Sequence, residues 1–122
     1  MRSPLSETEL EARRKHVAER LRRQLPPDAL LVDPDELRPF ECDGLSGHRR
    51  MPMLVAMPTD ADQVRAVLTT CSDMDVPIVA RGAGTGLSGG ALPLSEGVLL
   101  NMSRMNRILD IDLENRLARV QP

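Results

Sequence analysis

The sequence predicts an α+β fold: an N-terminal helix, a strand–helix–strand unit, a glycine-rich loop, and further strands that include a hairpin. Three observations predict it. Two short apolar runs, Leu54-Val-Ala-Met57 and Val76-Pro-Ile-Val-Ala80, bracket a segment whose apolar residues recur at helical spacing. Five glycines fall within the nine residues from Gly82 to Gly90, directly after the second run. Residues 108–120 then alternate apolar and polar on both sides of Glu114-Asn115-Arg116, the period of paired strands.

The first helix should begin near Glu7. Ser6-x-x-Glu9 is a capping box, in which serine and glutamate each satisfy a backbone amide of the other, and Leu5 and Leu10 stand at the positions of a hydrophobic staple. Leu10, Val17, Leu21 and Leu25 keep helical spacing as far as Pro26-Pro27. The opposite face carries Arg13, Arg14, Lys15, Arg22 and Arg23. Such a face would suit a membrane surface or a docking partner, but Glu9, Glu11 and Glu19 dilute its charge, and it is read as solvated.

Ala29-Leu-Leu-Val32 is a short strand candidate, and the stretch from Asp33 to Pro52, rich in Asp, Pro, Gly and Arg, reads as mostly loop. Leu54–Met57 is a better strand, closed by Pro58. Thr59-x-x-Asp62 resembles a capped helix start, and Val64, Val67, Leu68 and Cys71 form one apolar stripe up to about Met74. That stripe puts Cys71 on the packed side as a structural thiol. Val76–Ala80 is the second strand, parallel to the first, so the glycine loop leaves a strand at its C-terminal end. Ligands of parallel α/β units bind outside those ends. Gly97-Val-Leu-Leu-Asn101 reads as a buried strand, followed by the hairpin.

At 122 residues the chain is one domain's worth, able to bury a core. That core must be aliphatic, because Phe40 is the only aromatic side chain. With a net charge of −2 and no stacking platform, nucleic-acid binding is excluded. Cys42 and Cys71 lie in no CxxC or His/Cys cluster and are read as reduced. The sequence has neither an apolar leader nor a membrane-length apolar run, which predicts a soluble, cytoplasmic chain. His48, between Gly47 and two arginines, reads as an exposed loop histidine, and His16 is less promising still. Glu41 and Asp43 read as part of a structured loop rather than a carboxylate pair. No metal site, nucleophile triad or acid/base pair is visible in the sequence.

The chemistry lies in Arg81-Gly-Ala-Gly-Thr-Gly-Leu-Ser-Gly-Gly90. Glycines this dense remove Cβ from successive positions, allow φ > 0, and let several amides converge on one anion. Each amide–phosphate bond is charge-assisted, worth roughly 1.5–3 kcal/mol net where water is excluded. Gly84-Thr-Gly86-Leu-Ser-Gly89 satisfies GxGxxG, but a dinucleotide loop of that kind must open a helix. Gly90, Pro93 and Gly97 leave that helix no room before the next strand. There is also no Gly-Lys-Ser/Thr for an NTPase loop.

In this strand, long glycine loop, strand arrangement the run resembles the pyrophosphate loop of the FAD-linked oxidases of the vanillyl-alcohol oxidase and p-cresol methylhydroxylase superfamily. Phe40-Glu-Cys-Asp-Gly-Leu-Ser46, Met57-Pro58, the loop, Pro93-Leu94 and Ala118-Arg-Val-Gln-Pro122 follow one another as in glycolate oxidase FAD-linked subunits. The resemblance spans about Leu37 to Pro122. It implies that residues 37–122 are the N-terminal portion of a PCMH-type FAD-binding domain, truncated here, with residues 1–36 an N-terminal helix and linker. It also implies that Arg81, Gly82, Ala83, Gly84, Thr85, Gly86, Ser88, Gly89 and Gly90 wrap the FAD pyrophosphate and that Pro58 lies near the adenosine. Relatives that attach FAD covalently carry a histidine near the position of Thr85. None occurs in this loop, so non-covalent FAD is implied.

The chain stops after an alternating segment, so catalytic residues are expected beyond Pro122. The implied activity of the parent protein is FAD-dependent oxidation of a 2-hydroxy acid, glycolate to glyoxylate first. D-lactate or another 2-hydroxy acid stays open, as does a truncated, non-catalytic binding module. The resemblance further implies a second FAD-binding subunit and an iron–sulfur subunit as partners, and leaves room for peripheral attachment at the inner membrane face.

Overall fold

The computed structural model describes residues 3–42, 44 and 47–122. Asp43, Leu45 and Ser46 of the Phe40–Ser46 motif lie outside the described residues. Helix α1 spans Glu7–Arg22 and opens with the expected capping box: Ser6 Oγ accepts from Glu9 N, and Glu9 Oε2 accepts from Ser6 N at 2.8 Å. The Ser6 amide and hydroxyl, both donating to Glu9 Oε2, hold the Glu9 carboxyl below its ordinary pKa of 4.5. Strand β1 is shorter than the apolar run suggests, only Leu30–Leu31, because Pro27–Ala29 forms a 3-10 turn.

The stretch 33–52 is less of a loop than its composition indicates. Pro34–Leu37 forms one helical turn, α2, and Arg38–Phe40 a 3-10 turn. Pro34 at the first helical position, followed by Asp35 and Glu36, fits a helix start. Strand β2 follows at Leu54–Ala56, then α3 at Ala61–Asp73, β3 at Ile78–Arg81, β4 at Val98–Asn101, β5 at Ile108–Asp112 and β6 at Leu117–Val120. The α3 cap is Asp60, one residue beyond the position expected. Asp60 Oδ1 accepts from Gln63 N at 2.9 Å, while Thr59 N donates to the Gln63 side chain at 2.9 Å.

The first four strands form one sheet in the order β1-β2-β4-β3. β2 and β3 are parallel as expected, but β4 lies between them and pairs with both, and β1 adds an antiparallel edge. Every residue of β2 and β4 is buried. Side chains alternate across the sheet. Leu54, Ala56, Val98 and Leu100 meet Val17 and Leu21 of α1 and Val67 and Cys71 of α3. Val55 and Leu99 meet Leu37, with Phe40 and Met51 packed around them. The segment between β1 and β2 thus covers the face that α1 and α3 leave open.

Two expectations for the helices need correction. Leu68 is 46% exposed and Thr70 takes the buried place, since α1 approaches α3 from that side and Gln24 Nε2 donates to Thr70 Oγ1 at 2.9 Å. The basic face of α1 is only partly solvated. Lys15, Arg22 and Arg23 are exposed, but Arg13 and Arg14 are half-buried. Arg13 Nη2 donates to the Asp75 carbonyl at 2.6 Å and Arg14 Nε to the Met53 carbonyl at 2.8 Å, so both bind backbone oxygens next to the sheet.

The hairpin β5–β6 stands apart from the four-stranded sheet and carries exposed Ile108, Leu109, Ile111, Leu117 and Val120. Gln121 anchors its base. Its amide donates to the Arg107 carbonyl at 2.9 Å, its Oε1 accepts from Arg107 N at 3.0 Å, and its Nε2 donates to the Thr59 carbonyl at 3.2 Å. Among the described residues, no helix is long and apolar enough to cross a membrane.

Candidate functional site

Parallel neighbours need a long crossover, since the chain must return to the end where it started. Between β3 and β4 this return is residues 82–97, and no helix forms in it. The loop leaves the C-terminal end of β3 and comes back beside its start, where Val98 N donates to the Pro77 carbonyl at 2.9 Å and Gly97 N to the Leu94 carbonyl at 3.0 Å. Gly97 is tight: a Cβ there would stand 2.9 Å from the Pro77 oxygen.

Sequence density of glycine anticipates φ > 0 along the loop, and the structure confines it to Gly84 (φ 72°) and Gly89 (φ 75°). The remaining loop glycines serve differently. Around Gly82, Gly86 and Gly90 a Cβ would meet nothing within 4 Å, which leaves their flank clear for an approaching ligand. On the other side, Gly44 lies against the carbonyls of Thr85 and Gly86. A planar trans peptide carries C=O and N–H on opposite edges, so the amides of Gly86 and Leu87 face away from Gly44. Thr85 and Ser88 are exposed, with hydroxyls able to donate.

Beside the loop an open cleft of about 700 Å³ lies at the C-terminal ends of β3 and β4. Gly82 and Ala83 line one side, Met102, Ser103 and Asn106 another, and Gln121 closes it from the hairpin base. Among the described residues its lining includes Arg81 and no Asp or Glu side chain, so the field they set favours an anion. Asn101, buried at the end of β4, accepts from Ser103 N at 2.9 Å and sets the turn that forms the cleft's far wall. Met102 N donates to the Arg81 carbonyl at 2.8 Å, joining that wall to the root of the loop. This cleft, and the part of residues 101–106 in it, were not evident from sequence pattern; an Asn-x-Ser at a strand end is the one local signal.

The residues expected to act together are divided by the structure. Those from Arg81 to Gly90 form one continuous loop, and Arg81 and Gly84 are in contact. Pro58 ends β2, across β4 from the loop, and its side chain is fully buried. His48 is exposed, and Arg49 beside it pairs with Glu41 at 3.2 Å. Cys71 is fully buried, and burial pushes its thiol up to about 11. Among the described residues no cluster of His, Cys, Asp and Glu could hold a metal.

A diphosphate fits this loop chemically: donors are backbone amides and two hydroxyls, the space beside Gly82, Gly86 and Gly90 is open, and among the described residues the adjoining cleft has no carboxylate side chain. Comparison with known proteins agrees. A family model described as FAD binding domain matches residues 52–122. The chain is similar to glycolate oxidase subunit GlcD of Escherichia coli strain K12, 54% identical over 102 residues, which is 84% of this chain and 20% of that protein. It is also similar to a D-lactate dehydrogenase of Archaeoglobus fulgidus, 40% identical over 65 residues, 53% of this chain and 14% of that one. Among solved structures, p-cresol methylhydroxylase superposes with a TM-score of 0.69 at 27% identity, over 83% of this chain and 20% of the other. The chain thus spans about a fifth of the length of the curated relatives it matches.

Proposed function

Because this chain belongs to the FAD-binding domain family, we propose that it supplies the pyrophosphate cradle of a flavin-dependent 2-hydroxy-acid dehydrogenase acting on glycolate. The observation that carries this reading is the crossover from β3 to β4, made of glycines where a parallel pair ordinarily has a helix. Residues 37–122 are the cofactor-binding portion, and α1 with its linker is a covering element. The backbone of residues 81–86 and 88–90 and the hydroxyls of Thr85 and Ser88 hold the two phosphates. Pro58 lies toward the adenosine side and fixes where β2 ends.

FAD, once bound, supplies the acceptor for the hydride equivalent lost from the carbon bearing the substrate hydroxyl. The residues of this chain bind and orient. Backbone amides of the loop solvate the pyrophosphate charge, and Met102 and Met105 give the cleft an apolar wall. No residue of this chain is assigned as the base that takes the hydroxyl proton. Attachment is non-covalent, since the loop contains no histidine. The relative's name describes it as a subunit, which supports a multi-subunit assembly; a second FAD-binding subunit and an iron–sulfur subunit are the partners proposed for it. The protein works in the cytoplasm, with peripheral attachment at the inner membrane face as part of the same proposal.

A second reading is D-lactate as substrate, favoured by the 40% identity to a D-lactate dehydrogenase over 65 residues. The test uses a protein of the relatives' length that carries this sequence. It should purify with one FAD per chain, release it intact on denaturation, and bleach on addition of glycolate faster than with D-lactate. The opposite order of rates selects the second reading. Absence of flavin from the folded protein, even after reconstitution with FAD, overturns both.

A further inference from the structure

Among the described residues Arg81 is the only cation lining the cleft, which makes it the obvious phosphate ligand, yet its side chain is already engaged. The guanidinium lies over Phe40 in a cation–π contact, its central carbon 5.7 Å from the ring centroid, and Nη1 donates to the Cys42 carbonyl. It also fills the space beside Gly84: a Cβ there would lie 2.3 Å from Nη2 and 2.5 Å from both Cζ and Nε. Phe40 in turn packs beneath the sheet with Leu37, Val55 and Leu99. The three contacts run from the core, through the planar guanidinium, to the one residue near the loop's start that needs φ > 0.

We propose that Arg81 is a positioning residue, a strut between Phe40, the Cys42 carbonyl and Gly84 that holds the glycine loop in its phosphate-binding shape, and not a direct ligand of the phosphate. The proposal rests on the FAD reading and refines it. A direct ligand acts through charge, which lysine would preserve. A strut acts through a flat, forked group that can stack on a ring and donate to a carbonyl at once, which lysine cannot reproduce. Gly84 belongs to the same device, because the guanidinium occupies the position of any side chain there. Phe40 belongs to it as well, although it has no place in the cleft lining.

The experiment measures the FAD dissociation constant, by reconstitution of the flavin-free full-length protein, at several salt concentrations. The proteins compared are wild type, Arg81→Lys, Arg81→Gln, Phe40→Leu and Phe40→Tyr. Arg81→Lys and Arg81→Gln should weaken FAD binding alike, by about tenfold or more, with the salt dependence of wild type. Phe40→Leu should weaken it too, Phe40→Tyr should retain it, and the double variant Arg81→Lys/Phe40→Leu should be no worse than the weaker single one. Retention of affinity by Arg81→Lys with loss in Arg81→Gln and a shallower salt dependence would make Arg81 a phosphate ligand and overturn the proposal. So would Phe40→Leu binding like wild type. If wild type itself takes up no FAD, the FAD reading fails, and the strut is read alone from hydrogen exchange of residues 82–90 in the flavin-free protein. Arg81→Lys should then accelerate that exchange, and unchanged exchange contradicts the strut.

Discussion

A Cβ placed on Gly44 would stand 2.6 Å from the carbonyl oxygen of Thr85, so the segment before β2 and the tip of the glycine loop are in backbone-to-backbone contact. The contact orients the Thr85 and Gly86 peptides, and no atom of Gly44 lines the cleft. Gly44→Ala should therefore push the loop outward and weaken FAD binding by about tenfold or more, without altering the hydrophobic core. Titration of the flavin-free protein with FAD checks this, and unchanged affinity would remove Gly44 from the account.

Gly84 and Gly86 should fail in different ways. Valine at Gly84 meets a positive φ and the Arg81 guanidinium, so Gly84→Val should lose both FAD and part of the thermal stability of the flavin-free protein. A Cβ at Gly86 meets nothing within 4 Å beyond its chain neighbours, and Gly86→Val should lose FAD while the flavin-free melting temperature stays at the wild-type value. Flavin content and calorimetry on both variants separate the two mechanisms.

Asp60→Ala removes the acceptor for Gln63 N at the start of α3 and should destabilise the protein by about 1 kcal/mol. Leu21→Ala opens a cavity beneath α1 where the side chain is fully buried, and should cost about 2–5 kcal/mol. Denaturant melts rank the two. Reversal of that order would mean that α1 packs less tightly on the sheet than described.

Stability should fall at alkaline pH because of Cys71. Its thiol is raised in the folded state to about 11 from the ordinary 9.0, so the folded chain holds the proton more tightly than the unfolded one. The contribution is complete below about pH 9 and is lost as pH rises through the folded value. Cys71→Ala should flatten the stability profile between these limits, and native Cys71 should resist alkylation until the chain unfolds.

Much of the fold was legible in the sequence where the signal is local. The Ser6–Glu9 box, the hairpin around Glu114-Asn115-Arg116, and a glycine loop at a strand's C-terminal end all follow from neighbouring residues. What was not legible depends on distant partners. The insertion of β4 between β2 and β3 is set by burial of Val98–Asn101 on both sides. The exposure of Leu68 in place of Thr70 follows from the line on which α1 docks. Arg13 and Arg14 carry a surface pattern and reach backbone carbonyls 62 and 39 residues away in sequence. Within the site, the loop was located by its glycines, while the contacts that support it, from Gly44, Phe40 and the Asn101–Asn106 turn, come from outside that run.

On the proposed function, the backbone of residues 82–90 grips the pyrophosphate of FAD. Hydrogen exchange of that segment in the full-length protein, flavin-free and saturated with FAD, ADP or riboflavin, tests it most directly. FAD and ADP, which carry the diphosphate, should slow exchange across residues 82–90, and riboflavin, which lacks it, should not. Exchange in that segment that stays at its flavin-free rate while FAD is bound would contradict the claim.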